Sequence, residues 1–221
     1  MLTDRLSTLH FNQRVTFDSP AVFSLAGEII DTQTAALLTG ALDGSTIKLE
    51  LQYPENDSTQ SALSAVLTVK HDYFARDAVY QLAQTDTGYT WLAIDYVVLK
   101  KQHANKGLGI RMFAQQAFTA DRLGIHQISL RAVGTGPNGI YNGAYTWARF
   151  GFLPMMDEAD EQEFKHRFPG VASLTDLMST EQGRLRWRNE CFTLSMYFEP
   201  GDNTCWETFV RYMAEKGVTY A

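Results

Sequence analysis

Apolar and polar side chains alternate along much of the first half of the chain, and this alternation predicts β-strands. Residues 46–53 alternate with a period of two, as a strand with one buried face does. The same pattern returns at 62–69, 78–83 and 89–99, with polar turns at 54–60 and 85–88. Strands joined by such short turns are expected to pair as an antiparallel meander.

After Gly107 the spacing of the apolar residues becomes helical. One face of the predicted helix carries Ile110, Phe113, Ala114, Ala117, Phe118 and Leu123, and Gly124 is a natural stop. Residues 127–133 predict a strand. Because this strand follows a strand–helix unit, we expect it to lie parallel to the strand at 89–99.

The remaining pattern predicts further helices and one more strand. Helices are expected at 32–42, 141–150, 174–188 and 206–216, and a strand at 192–198. The acidic run at 157–163 is typical of a solvated helical face. No composition shift marks a domain boundary, so we predict one domain over residues 1–221, with residues 155–221 as an added C-terminal helical layer.

Composition narrows the possible functions only a little. Apolar residues make up 45% of the 221 residues, which favours an ordinary folded core. The net charge of −6 argues against a nucleic-acid binder that neutralises many phosphates. Cys191 and Cys205 do not form a disulfide framework, and no zinc-binding motif is present. Without a signal peptide or a long apolar run, we expect a cytoplasmic protein with no membrane partner.

The transition from the strand at 89–99 to the helix after Gly107 carries the most specific signal. The sequence Lys106-Gly107-Leu108-Gly109 stands where the helix begins. Glycines allow backbone to approach a ligand closely, and the first N–H groups of a helix have no intrahelical partner. A strand, a glycine turn and a helix N-terminus therefore predict an anion site, most often for phosphate. Arg111 and Arg131 could contact phosphates or an acidic substrate group, but a surface salt bridge is the simpler account of each.

Two common phosphate-binding motifs fit this segment poorly. A P-loop needs a lysine followed by serine or threonine after its glycines, whereas Lys106 precedes Gly107. A dinucleotide-binding fingerprint needs a third glycine, and Met112 occupies that position. A nucleotide-binding α/β enzyme of another type stays an alternative.

A third design matches better. The segment Ala104-Asn-Lys-Gly107-Leu-Gly109 resembles motif A of the GNAT superfamily of N-acetyltransferases, Q/R-x-x-G-x-G/A, with Ala104 in place of the polar residue. Downstream, Trp147-Ala-Arg-Phe-Gly-Phe152 resembles the aromatic-x-[KR]-x-G-F segment of the same superfamily. The resemblance covers about residues 89–154. It extends to uncharacterised bacterial GNAT-like proteins with a tryptophan at this point.

The resemblance implies an α/β (α+β) fold, a GNAT-like mixed, mostly antiparallel sheet flanked by helices. It also implies acetyl-CoA, or another acyl-CoA, as the cofactor. The backbone of Val97, Val98 and Leu99 would pair with the acyl-pantetheine arm and stabilise the oxyanion. The pyrophosphate would be held by the loop and helix start, namely Asn105, Lys106, Gly107, Leu108, Gly109 and Ile110. Trp147 would replace the family's usual tyrosine beside the cofactor.

Catalytic residues are harder to assign. Asp95 is a candidate general base, because burial within its apolar strand would raise the pKa of the carboxyl. The alternative is a strand-face aspartate that is solvated or paired with an arginine. His103 in the loop is an alternative base. The indole of Trp147 cannot act as an acid at neutral pH, so Tyr145 and Tyr141 are the candidate acids for the leaving thiolate.

The implied function is transfer of an acetyl or short acyl group to an amine acceptor, on a small molecule or a protein. A catalytically silent GNAT-fold protein that binds acyl-CoA or a partner is the alternative, favoured by Ala104 and Trp147. The loop at 134–143 could line the acceptor pocket or only connect two elements. Residues 155–221 could cap the acceptor site, form a homodimer interface or extend the core.

Overall fold

The computed structural model describes residues 2–18, 22–25, 28–52, 64–135 and 142–220. Its helices are α1 (Arg5–His10), α2 (Thr32–Thr39), α3 (Leu108–Arg122), α4 (Gly143–Arg149), α5 (Glu158–Arg167), α6 (Leu174–Ser179), α7 (Glu181–Glu190) and α8 (Asn203–Glu215). Its strands are β1 (Thr16–Phe17), β2 (Phe23–Leu25), β3 (Glu28–Ile30), β4 (Thr46–Gln52), β5 (Ser64–Lys70), β6 (Ala78–Gln84), β7 (Thr90–Tyr96), β8 (Gln127–Ala132), β9 (Leu153–Met155) and β10 (Leu194–Phe198). The turn predicted at 54–60 lies outside the described residues.

The chain forms two compact units. The first contains Met1–Ile128 and Met213–Ala221, and the second contains Ser129–Tyr212. Within the described residues, eight strands belong to one mixed sheet and helices flank it, which confirms the predicted fold class. None of the helices in the described ranges has the length and apolar character that crossing a membrane requires.

The first unit is built on the predicted meander. Its strands follow the order β1-β4-β5-β6-β7, and each consecutive pair from β4 to β7 is antiparallel. The apolar positions of the alternating pattern are buried, as Ile47, Leu67 and Leu92 illustrate. The alternation of the sequence therefore predicted both the pairing of these strands and the face that is buried.

Helix α2 packs closely on α3 where it ends. Its last turn is followed by Gly40, whose left-handed backbone lies so close to α3 that a β-carbon there would be 2.5 Å from the carbonyl oxygen of Met112.

In the second unit the strands follow the order β8-β10-β9, and β10 pairs with β9 in the antiparallel sense. Trp187 is fully buried and donates its indole N–H to the carbonyl of Ala144 at 3.2 Å. Phe164 and Phe168 pack around the same indole. This aromatic cluster joins α5 and α7 to the start of α4.

The single helix predicted at 174–188 is wrong, because the segment forms two helices. Thr180 has extended backbone dihedrals and accepts the N–H of Gly183 on its hydroxyl, so it caps a new helix. A β-carbon on Gly183 would lie 1.8 Å from the carbonyl oxygen of Leu177, so only glycine permits this tight junction. The apolar spacing continues through the break and hides it from a periodicity argument.

Candidate functional site

The end of β7 contains a β-bulge at Asp95. The register runs from Gln84 opposite Thr90 to Tyr80 opposite Ile94, and then places Val79 opposite Tyr96. Asp95 is thus an extra residue on β7, and bulges of this kind often redirect side chains beside active sites.

The side chain of Asp95 is exposed, so of the two alternatives left open by the sequence the buried carboxyl is wrong and the solvated strand-face aspartate is found. It alternates with the buried Ile94 and so lies on the outer face of the strand. There it lines a shallow depression of about 600 Å³ together with Arg76, Asp77, Val79 and Tyr96. The guanidinium of Arg76 lies over the ring of Tyr96, 3.5 Å from its centroid. The role of Asp95 as a base stays a prediction that now depends on this exposed location.

Beyond the bulge, one edge of the chain at 97–100 is paired with residues 73–75. The N–H of Ala75 donates to the carbonyl of Val98, and the N–H of Lys100 donates to the carbonyl of Tyr73, both at 2.8 Å. Backbone polar groups in an extended chain alternate between its two edges. The backbone N–H and C=O groups of Val97 and Leu99 therefore point away from residues 73–75. In this orientation they could pair with the arm of an extended ligand.

The loop after this segment ends in the predicted glycine turn. Asn105 and Gly107 both have left-handed backbone conformations, with φ of 59° and 77°. Gly107 is the N-cap of α3, and no side chain caps this helix end. Leu108 and Ile110 bury their side chains, and Gly109 is half-buried. The consecutive N–H groups at the start of α3 thus form a cradle suited to an anion, with the exposed Lys106 beside it.

Arg111 does not point toward this cradle. It is buried, and its Nε and Nη2 donate to Oδ1 of Asp4 at 2.8 and 2.6 Å. Its Nη1 donates to the carbonyl of Gly107 at 2.8 Å. The surface salt bridge considered from sequence is therefore a buried one. No sequence motif signalled Asp4, because it lies 107 positions from its partner.

Next to the loop, aromatic rings surround Tyr73. His103 stacks on Tyr73 with the ring centroids 3.7 Å apart, and His71 meets Tyr73 edge-on at 4.6 Å. His103 is half-buried in this stack, and its role as an alternative base stays a prediction. Arg131 is exposed.

The hydrogen bonds of His71 fix its protonation state. Nε2 lies 3.1 Å from the carbonyl oxygen of Asp43, which can only accept, so Nε2 carries the proton. Nδ1 accepts the backbone N–H of Tyr73 at 3.1 Å, so it must be unprotonated. Burial lowers the pKa of His71, and it outweighs the hydrogen bond to the Asp43 carbonyl and the charge of Asp72, which both raise the pKa. The imidazoles of His10 and His103 add to the lowering. The ring is therefore held neutral beside the segment that pairs with Val98 and Lys100.

The free energy of unfolding is expected to fall as the pH is lowered from about 7, because the unfolded chain then binds the His71 proton more readily than the folded chain. His71→Asn keeps an acceptor for the Tyr73 N–H and removes the titration. The slope of stability against pH between about 5 and 7 should flatten in urea denaturation of this variant. The same substitution at the exposed His166 is the control and should leave the slope as in the parent. An equal slope in His71→Asn and the parent would contradict the assignment.

The second unit contains the other predicted site residues. Trp147 is half-buried and packs edge-on against Phe150 and Phe152, with ring centroids 5.4 and 5.0 Å apart. Tyr145 is half-buried, with the guanidinium of Arg188 6.0 Å from its ring centroid. Tyr141 lies outside the described residues. The roles of these three aromatic residues stay predictions.

A second depression of about 680 Å³ lies in the same unit. It is lined by Gly134, Thr135, Glu163, His166, Arg167, Asn189, Glu190, Cys191 and Phe192. In the described part of the chain, no group of three or more histidine, cysteine, aspartate or glutamate side chains is placed to hold a metal ion.

Comparisons with known proteins give similarity to solved structures only. No protein-family model and no curated protein matches the chain. It is similar to nourseothricin acetyltransferase, with 14% identity and a TM-score of 0.32, over 61% of this chain and 63% of that one. It is also similar to a GNAT family acetyltransferase from Elizabethkingia anophelis with acetyl-CoA bound, with 14% identity and a TM-score of 0.33, over 69% and 97% of the two chains.

A third similar structure is a Bacillus subtilis acetyltransferase in complex with CoA, with 18% identity and a TM-score of 0.33, over 69% of this chain and 98% of that one. The chain therefore spans less than two thirds of nourseothricin acetyltransferase and nearly all of the other two. The low identities and TM-scores of these neighbours carry no conclusion about substrate or activity.

Proposed function

We propose that this protein transfers an acetyl or another short acyl group from acyl-coenzyme A to an amine acceptor. The observation that carries this proposal is a juxtaposition within the first unit. The outward-facing backbone of Val97 and Leu99 leads, through one short loop, to the uncapped start of α3 at Gly107. An acyl-pantetheine arm needs the first feature, and the pyrophosphate that follows it needs the second.

The same segment supplies groups for the chemistry. A backbone N–H of Val97 or Leu99 would donate to the oxyanion that forms when the amine attacks the thioester carbonyl. Asp95, exposed at the bulge, would take the proton of the attacking amine directly or through water. The C–N bond forms, the C–S bond breaks, and the departing thiolate takes up a proton. For this acid, Tyr145 and Tyr141 stay candidates from the sequence alone.

The acceptor we propose is a primary amine that is cationic in solution. Asp77 and Asp95 line the same shallow depression and would attract an ammonium group toward the bulge. Both a small molecule and a lysine side chain of a protein fit this description, since the depression is open to solvent.

Acetyl-CoA is expected to bind the purified chain with a dissociation constant in the micromolar range, as measured by isothermal titration calorimetry. Thiol release should follow when a panel of primary amines is added, and Asp95→Asn should slow it with little effect on acetyl-CoA affinity. Absence of binding at high micromolar acetyl-CoA would refute the acyl-transfer proposal.

A catalytically silent acyl-CoA-binding protein is the second candidate. The observation that favours it is the packing of Trp147 against Phe150 and Phe152, since an indole in this motif position offers no acid. Tight acetyl-CoA binding without thiol release, across small amines and lysine-containing peptides, is the result expected for this candidate.

A further inference from the structure

A buried hydrogen-bond network connects the first helix to the glycine turn. Arg111 and Asp4 form an ion pair in which the two side chains are only 7% and 12% exposed. Three guanidinium nitrogens of Arg111 are used, two on Oδ1 of Asp4 and one on the carbonyl of Gly107. Arg111 is thus a buried cation that bridges α1 and the start of α3.

Both carboxylate oxygens of Asp4 also accept hydrogen bonds from α1. Its Oδ1 also accepts the N–H groups of Leu6 and Ser7 at 3.1 and 3.2 Å, so that Asp4 is the N-cap of α1. Its Oδ2 accepts the hydroxyl of Ser7 at 2.6 Å. Burial alone would raise the pKa of Asp4, but the hydrogen bonds from Arg111 and Ser7 outweigh it and lower the pKa. The carboxylate stays ionised and neutralises Arg111.

The bond from Arg111 to Gly107 constrains the neighbouring peptide unit. A trans peptide is planar, so the N–H of Leu108 points away from the carbonyl of Gly107. As the N-cap residue, Gly107 already offers its carbonyl to the first intrahelical N–H, and Nη1 of Arg111 adds a second donor to the same oxygen at 2.8 Å. The N–H of Leu108 is therefore turned toward the opposite side, where the anion cradle lies. The second donor makes rotation of this peptide more costly, which matters because glycine accepts many backbone conformations.

Two roles for Arg111 can be distinguished on this geometry. A direct phosphate ligand would have an unpaired guanidinium directed at the cradle. Arg111 instead has its charge neutralised by Asp4, and Nη1 lies so near Gly107 that a β-carbon there would be 2.6 Å from it. This arrangement fits a side chain that orients the glycine turn and does not contact the ligand itself.

We propose that Asp4 and Arg111 are positioning residues for the coenzyme site, and that α1 is therefore an integral part of that site. The proposal rests on the proposed function, because the ligand that benefits is the pyrophosphate of acyl-coenzyme A. Asp4 fixes Arg111, Arg111 fixes the carbonyl of Gly107, and the turn presents the N–H groups of Leu108 and Gly109.

The test compares Asp4→Asn, Arg111→Met and the double variant with the parent chain. Acetyl-CoA affinity is measured by calorimetry, and the amide resonances of Leu108 and Gly109 are followed by ¹⁵N NMR without ligand. Each single variant is expected to shift these resonances and to weaken acetyl-CoA binding about tenfold or more. The double variant should be no weaker than Arg111→Met, since residues of one network are not additive. Arg122→Met, which removes an exposed arginine from the same helix, is the control and should change neither readout.

Each contrary result has a separate meaning. Tighter acetyl-CoA binding in Asp4→Asn would show that the released Arg111 is a direct phosphate ligand, and would overturn the proposal. Unmoved amide resonances, or parent-like affinity in both single variants, would overturn it as well. If the parent binds no acetyl-CoA while the resonances shift as expected, the proposed function fails and the control of the turn by Asp4 and Arg111 holds. Should Arg111→Met not fold, Asp4→Asn, which retains the size of the capping side chain, decides the question.

Discussion

Replacing Gly109 with glutamate is expected to weaken acetyl-CoA binding at least about 100-fold, which corresponds to about 2.7 kcal/mol, without loss of stability. Gly109 is the second residue of α3, and the N–H groups there face the proposed pyrophosphate position. A glutamate would place a negative charge and a side chain in the space of the phosphates. The same change favours the helix, because carboxylates are stabilising near a helix N-terminus and glycine is a poor helix former.

Weaker acetyl-CoA binding at unchanged stability would separate loss of the coenzyme site from loss of the fold. Calorimetry with acetyl-CoA gives the affinity, and thermal unfolding gives the stability of the same preparation. Gly109→Ala is the matched control, because alanine is allowed at this position of the motif that the segment resembles, and it should retain binding. Parent-like affinity in Gly109→Glu would show that the start of α3 is not the anion-binding site.

The largest effect on stability is expected for Gly151→Ala in the second unit. Gly151 has φ of 86°, and a β-carbon would lie 2.3 Å from the carbonyl oxygen of Cys205. The left-handed backbone costs a non-glycine residue about 1–2 kcal/mol, and a clash with backbone in a packed region adds about 1–3 kcal/mol. We expect the free energy of unfolding to fall by roughly 3–4 kcal/mol. Three of the four tryptophans of the chain, Trp147, Trp187 and Trp206, lie in this unit, so tryptophan fluorescence in urea mainly follows its unfolding.

Gly170→Ala provides the matched comparison. Gly170 has a similar φ of 79° in the same unit, and nothing lies within 4 Å of a β-carbon there. Only the backbone cost applies, so a loss of about 1 kcal/mol is expected. Equal losses in the two variants would show that the close approach to Cys205 contributes nothing, and that backbone conformation alone explains the glycine in Gly151-Phe152.

Local pattern was enough to predict the meander and the main helix. The predicted strands at 46–53 and 78–83 correspond to β4 at Thr46–Gln52 and β6 at Ala78–Gln84. The helix expected after Gly107 is α3, at Leu108–Arg122. In these segments the periodicity and the turn residues agree, and each depends on neighbours in sequence.

The features that sequence reasoning missed depend on contacts that periodicity does not report. The break at Thr180 comes from a side-chain cap and one glycine contact inside an otherwise helical pattern. The apolar neighbours of Asp95 left both a buried and a solvated carboxyl open, whereas its outer-face position follows from the alternation itself. The glycine turn could be predicted because its signal is local. Its support by Asp4 could not, because nothing near Asp4 or Arg111 in sequence announces a partner 107 positions away.

The two cysteines of the chain have a practical consequence for assays of this protein. Cys191 and Cys205 are both buried, and no disulfide joins them. Burial raises the pKa of Cys205 to about 11. A thiolate, not a thiol, attacks a disulfide-exchange dye, so at neutral pH the native chain should release little colour of its own. The dye would then report coenzyme thiol in the native sample, and in urea it would count unfolded molecules through their newly accessible sulfur atoms.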